Sequence, residues 1–168
     1  DHLEPLIWDT VCRSQGVESI EQIGYGKGYV DALNYWRQFL DGINALRDHR
    51  GMAVILIGHV HIRRFESPEH DSIDRFEPKL HVKASALVQE SVDTILFAKQ
   101  KTVTKTENLG FGNTRTRGIT TGERVVCTVE TPAYVAKNRY NLPAELPLTW
   151  SAFADAINQQ ITSNSEAA

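Results

Sequence analysis

Only two cysteines, Cys12 and Cys127, occur in the 168 residues, and they stand far apart, without the paired spacing of a zinc ligand set or a redox dithiol. A disulfide-rich scaffold is excluded, and free thiols in a reducing compartment are the expectation. Long apolar runs are missing as well. The longest, Met52 to Ile57, falls far short of the roughly 20 residues that cross a bilayer, so no membrane partner is expected. The acidic opening Asp1-His2-Leu3-Glu4 is not a signal peptide. A general cationic excess is absent too: the formal net charge is -3, which excludes a uniformly basic protein. A phosphate-loop motif is also lacking. The nearest approach, Gly24-Tyr25-Gly26-Lys27-Gly28, has Glu21 where that motif needs its first glycine and Gly28 where it needs Ser or Thr, so a glycine turn leading into a helix is the reading.

What is present is ordinary single-domain material. Helical spacing places Leu3, Leu6, Ile7 and Val11 on one side of an opening helix, and Val30, Leu33, Trp36, Leu40, Ile43 and Leu46 on a long one from about Tyr29 to His49, with Gly51 as its stop. Met52 to His61 reads as a strand covered on both faces, as in parallel α/β sheets, with His59 beyond its carboxyl end, where such sheets bind ligands. Arg63 to Val82 reads as a long charged loop. A helix over Lys83 to Ser91 and a strand over Asp93 to Ala98 follow. The pattern is then β up to Val129, with Gly110, Gly112, Gly118 and Gly122 punctuating hairpins. A terminal helix runs from Trp150 to Ile161, capped by Thr149 or Ser151, before a fraying tail. Charge is uneven: Lys99, Lys101, Lys105, Arg115, Arg117, Arg124, Lys137 and Arg139 face only Glu107, Glu123 and Glu130 in one segment, which suits phosphates.

Gly58-His59-Val60-His61 carries the most chemistry. Two histidines at i, i+2 resemble the Gly-His-x-His element of calcineurin-like metallophosphoesterases, and His70, Asp71, Asp74 and His81 are further oxygen and nitrogen donors. The Asp-x-His and Gly-Asn-His elements of a two-metal site are missing, so no metal ligand is assigned. Ser85 and Ser91 have no nucleophile elbow around them. The remaining role for His59 is a polar sensor on a strand end, passing its state to the loop that follows.

Asp1 to Asp9, Gly24 to Tyr29, Gly58 to Phe65, Asp74 to His81, Lys83 to Leu87 and Thr131-Pro-Ala-Tyr-Val-Ala-Lys-Asn-Arg-Tyr-Asn-Leu-Pro143 together resemble the C-terminal part of phage RecA-like ATP-binding proteins, the AAA-type recombination and annealing ATPases. The last segment is the most specific, since Ala-Lys-Asn-Arg-Tyr flanked by prolines has no generic structural explanation. The resemblance implies an α/β fold: a partial RecA-like P-loop NTPase core over residues 1–150, lacking the phosphate-loop strand, with a C-terminal β-hairpin region. Residues 151–168 form the terminal helix and tail. It implies ATP and Mg²⁺ in the complete protein and none for this chain alone, whose start lies just after the family's acidic Mg²⁺-holding strand. His59 becomes the nucleotide sensor. Lys27, Arg63, Arg64, Arg75, Lys79 and Lys83 would meet single-stranded DNA phosphates, with Tyr25, Phe65 or Phe76 stacking on bases. Arg124, Lys137 and Arg139 would reach the nucleotide of a neighbouring subunit in a homo-oligomeric ring or filament, the alternative being surface pairing with Glu123, Glu130 or Glu145. The setting implied is the cytoplasm of a bacterial host cell. Two other classes stay open: a metallophosphoesterase-like hydrolase using Gly58 to His61, and a non-catalytic interaction domain.

Overall fold

The computed structural model describes residues 1–66, 71–108 and 114–166. His70, Gly110 and Gly112 lie outside them. Two compact units, Asp1–Val92 and Asp93–Ala168, divide the chain.

In the first unit, apolar residues spaced for a helix form α1 (Leu3–Gln15), which buries Ile7 and Val11 and stops at Gly16 in the left-handed region, φ 66°. Leu6, on the other flank, is exposed. After a short helical turn comes the glycine segment: Tyr25 and Gly26 take φ 56° and 68°, and α2 (Lys27–Arg50) starts at once. Among the described residues no strand precedes this turn, as a phosphate loop would need. Gly28 is required for contact: a Cβ there would lie 2.6 Å from Ile20 Cγ1 and 2.9 Å from its carbonyl oxygen. The core gathers Ile7, Val11, Cys12, Ile20, Ala32 and Trp36, with Ala84 from α3 (Val82–Ser91). Gly51 ends α2 at φ 61°, as its position predicts.

The next stretch departs from expectation. Residues 51–59 form no strand, and every one of them is exposed. Ile57 is 93% accessible. Burying an apolar strand on both faces requires neighbours in a sheet, and no described residue forms a ladder with this segment. Among the described residues every named strand pairing is antiparallel, so the parallel sheet expected from this run is not formed within the chain. Ile57→Asp is therefore expected to change stability by less than about 0.5 kcal/mol, as exposed substitutions do; urea unfolding of the variant beside the parent checks it.

The charged stretch after it corrects the loop reading. It forms a hairpin, β1 (Val60–Phe65) with β2 (Ile73–Pro78), in the register Val60↔Pro78 to Phe65↔Ile73. Its charges pair across the strands, Arg63 Nη1 with Glu77 Oε2 at 3.6 Å and Arg64 Nη1 with Asp74 Oδ1 at 3.8 Å, and the Arg75 guanidinium lies over the Phe65 ring at 4.9 Å. Charge alternation here marks cross-strand partners.

In the second unit β3 (Thr94–Ile95) pairs with β6 (Lys137–Asn138), and a sheet of order β4-β5-β7 is built from β4 (Phe97–Asn108), β5 (Thr114–Cys127) and β7 (Glu145–Pro147). Gly118 and Gly122 lie inside β5 rather than at hairpin turns; Gly122, at φ 85°, sits near the register shift after Gln100. Helix α4 (Trp150–Glu166) covers this unit's core of Val126, Leu142, Leu146 and Ala156. Thr149 Oγ1 accepts the Ala152 N–H at 3.3 Å as cap. The Lys-Asn-Arg segment does have a structural reason. Asn138 accepts the Leu142 N–H at 2.9 Å and donates to the Leu142 carbonyl at 2.8 Å, closing a turn with Asn141 at φ 53°. It also donates to Thr128 Oγ1 at 3.3 Å; Thr128 is fully buried.

Candidate functional site

The entry and exit of the β1–β2 hairpin converge on the first four residues of the chain. At the entry, His59 Nδ1 lies 2.8 Å from Asp1 Oδ2. An ionised carboxylate only accepts, so the ring proton sits on Nδ1 and donates to Asp1, which fixes the orientation of the imidazole. The His59 side chain is 69% exposed while that of Asp1 is 12% exposed: a held carboxylate beneath an open ring. His2 brings a second imidazole edge-on, with centroids 5.6 Å apart at 63°. The hairpin base closes here too, because the Lys79 N–H donates to the His59 carbonyl at 2.9 Å.

At the exit, Glu4 receives the backbone of His81. Both its carboxylate oxygens accept the His81 N–H, at 2.9 and 3.1 Å. His81 caps α3, its Nδ1 accepting from the Lys83 N–H at 3.4 Å, and its ring stacks on Tyr29 of α2 at 4.1 Å and 5°. Trp8 of α1 meets Tyr29 edge-on at 5.5 Å. Glu4 is 6% exposed. Burial pushes its carboxyl up from the ordinary value, and the His81 hydrogen bond works the other way. His81 is pushed down by burial, then by the charges of Lys83 and Arg63.

Asp1 and Glu4, three residues apart, thus grip His59 and His81, 58 and 77 positions away. Asp1 stands just before α1 and Glu4 in its first turn, so displacing His59 from Asp1 acts on a hairpin whose other end is held three residues further along the same segment. The arrangement can couple a ligand at His59 to the hairpin.

Of the residues singled out from sequence, Arg63 and Arg64 stand on this hairpin in cross-strand pairs, Arg75 is buried in it, and Lys79 and Lys83 are exposed at its exit and on α3. Lys27 is exposed at the start of α2, beside the fully exposed Tyr25. His61 is half-buried in β1 opposite Glu77, with Nε2 buried and unpartnered among the described residues. Arg124, Lys137 and Arg139 belong to the second unit. Arg124 is exposed in β5 opposite Gln100, and Lys137 is in β6 opposite Ile95. Arg139 Nη1 donates to Asp93 Oδ1 at 3.0 Å, and its backbone N–H donates to the Asp93 carbonyl at 3.2 Å; Glu145, one of the surface partners considered for it, instead receives Lys101 at 2.7 Å. No short-range signal pointed to Asp1, His2 or Glu4, since their partners lie across the chain; one acid on the first turn of a helix and one just before it were the trace.

No described helix is long and apolar enough to cross a membrane. A family model described as an AAA domain matches residues 1–140. No curated protein and no solved structure matches the chain.

Proposed function

This chain belongs to the AAA domain family, of AAA-type P-loop ATPases, and from that premise we propose that it serves nucleotide-dependent handling of single-stranded DNA, as a phage RecA-like recombination or annealing ATPase does. One observation carries the reading: an exposed histidine, oriented by Asp1 at 2.8 Å, sits at the root of a hairpin bearing Arg63, Arg64 and Arg75. With Nδ1–H committed to Asp1, an imidazolium would present its Nε2–H to a phosphate oxygen, the contact a γ-phosphate sensor needs. ATP with Mg²⁺ supplies the phosphoryl group whose presence is sensed. The donor set here suits a sensor and not a phosphate cradle, because the Gly24–Gly26 turn is not set behind a strand.

The hairpin is the DNA-facing output, with Lys27, Lys79 and Lys83 beside it as further phosphate contacts. In a homo-oligomeric ring or filament Arg124, Lys137 and Arg139 reach the neighbouring nucleotide, Arg139 exchanging Asp93 for phosphate. Arg63→Glu with Arg64→Glu tests the output by fluorescence anisotropy on a single-stranded oligonucleotide across a salt series. Losing two phosphate contacts, each contributing about 0.7, is expected to flatten the slope of log K against log salt by about 1.4. An unchanged slope and affinity would remove the hairpin from the DNA interface.

A further inference from the structure

At the start of α1 the Asp1 carboxylate and the His2 and His59 imidazoles each bring one donor atom within 4.8 Å of the others. We propose that Asp1, His2 and His59 form a binding site for a divalent transition metal of the zinc class, a property that does not rest on the nucleotide reading. Two imidazole nitrogens and one carboxylate oxygen suit Zn²⁺ or Co²⁺, whereas Mg²⁺ prefers an all-oxygen shell. Spacing supports the assignment. Ligands bonded to one tetrahedral zinc at about 2.1 Å lie about 3.4 Å apart, so Asp1 Oδ2 and His59 Nδ1, now 2.8 Å apart in a hydrogen bond, need to open by only about 0.6 Å to admit an ion between them.

The third donor has the room to adjust. His2 is exposed and packs against His59 by its ring alone, at 5.6 Å between centroids, so it can swing inward without disturbing the core. Asp1, the one donor largely shielded from water, anchors the set. When an ion bonds to His59 Nδ1, the proton now shared with Asp1 leaves that nitrogen, and the ring stays neutral by carrying it on Nε2. Three protein ligands leave the fourth position to water or an anionic ligand. The site differs from the i, i+2 histidine pair of the sequence: His61 takes no part, and His2 takes its place.

Calorimetric titration with Zn²⁺ and visible absorption with Co²⁺ test the site on the full chain, carrying an acetylated amine so that the terminal nitrogen is not a ligand. One ion per chain is expected, with the intense absorption of tetrahedral Co²⁺. His59→Gln and Asp1→Asn should each weaken binding at least about tenfold and remove that band, while excess Mg²⁺ should not compete. His49→Gln, on the last turn of α2 and outside the cluster, should change nothing. His59 is exposed and Asp1→Asn is nearly isosteric, and circular dichroism verifies that both variants fold. Unaltered affinity in His59→Gln, loss of binding in His49→Gln, or loss on acetylation alone would each overturn the site.

Discussion

Glu4→Ala is expected to lower the stability of the Asp1–Val92 unit by about 2–3 kcal/mol. The change strips the His81 N–H of the carboxylate that accepts it at 2.9 and 3.1 Å and leaves that donor unsatisfied in a buried place. Glu4→Gln should cost less, because its amide oxygen still accepts from His81 and no charge remains buried. The pH profile separates the two effects. Burial raises the carboxyl of Glu4, so the folded state binds its proton more tightly than the unfolded chain, and stability falls as pH rises from the ordinary carboxyl range through the raised value. His81 is lowered by burial, so its contribution is present above the ordinary imidazole range and is lost as pH falls through the lowered value. The two slopes oppose each other in mildly acid solution. Urea midpoints measured across that range should show the parent with the smaller net slope and Glu4→Gln with the acid-side fall of His81 alone. Identical profiles would mean that Glu4 does not titrate in this contact.

Trp36→Ala is expected to cost more, about 3–5 kcal/mol, as large-to-small changes do in a packed core. Trp36 is 4% exposed, among Ile7, Val11, Ala32 and Ala84, and meets Phe39 edge-on at 6.1 Å. Its Nε1 is buried with no partner among the described residues, so the ring contributes by packing and its polar group detracts. Trp36→Phe should therefore recover most of the loss, because it keeps an aromatic ring and removes an unpaired donor. Amide hydrogen exchange in α1 and α2, read beside the urea midpoint, locates the effect.

The helices were legible because their cause is local. Leu3, Ile7 and Val11 repeat at helical spacing, and Gly51 supplies the left-handed residue that stops α2. The hairpin was not legible, since Arg63–Glu77 and Arg64–Asp74 look like loop charges until β1 and β2 are set in register. Met52 to Ile57 misled for a related reason. Apolar content states that a segment can be buried, but burial on two faces depends on partners that no described residue provides. The Lys-Asn-Arg segment drew notice for its cations, while the residue between them closes the turn.

His59 was marked by sequence because a polar residue at the end of an apolar run is unusual in itself, and the family match over residues 1–140 agrees with the segments that carried the resemblance. Residue order alone therefore determined the helices, the stop of α2, the AAA-type family and the position where chemistry was to be sought. Only the tertiary structure decided what stands beside that position. Asp1 and Glu4 meet His59 and His81 across 58 and 77 residues, and contacts of such separation leave no periodicity or spacing in the chain, because they are set by how α1 packs against α2 and the hairpin's root.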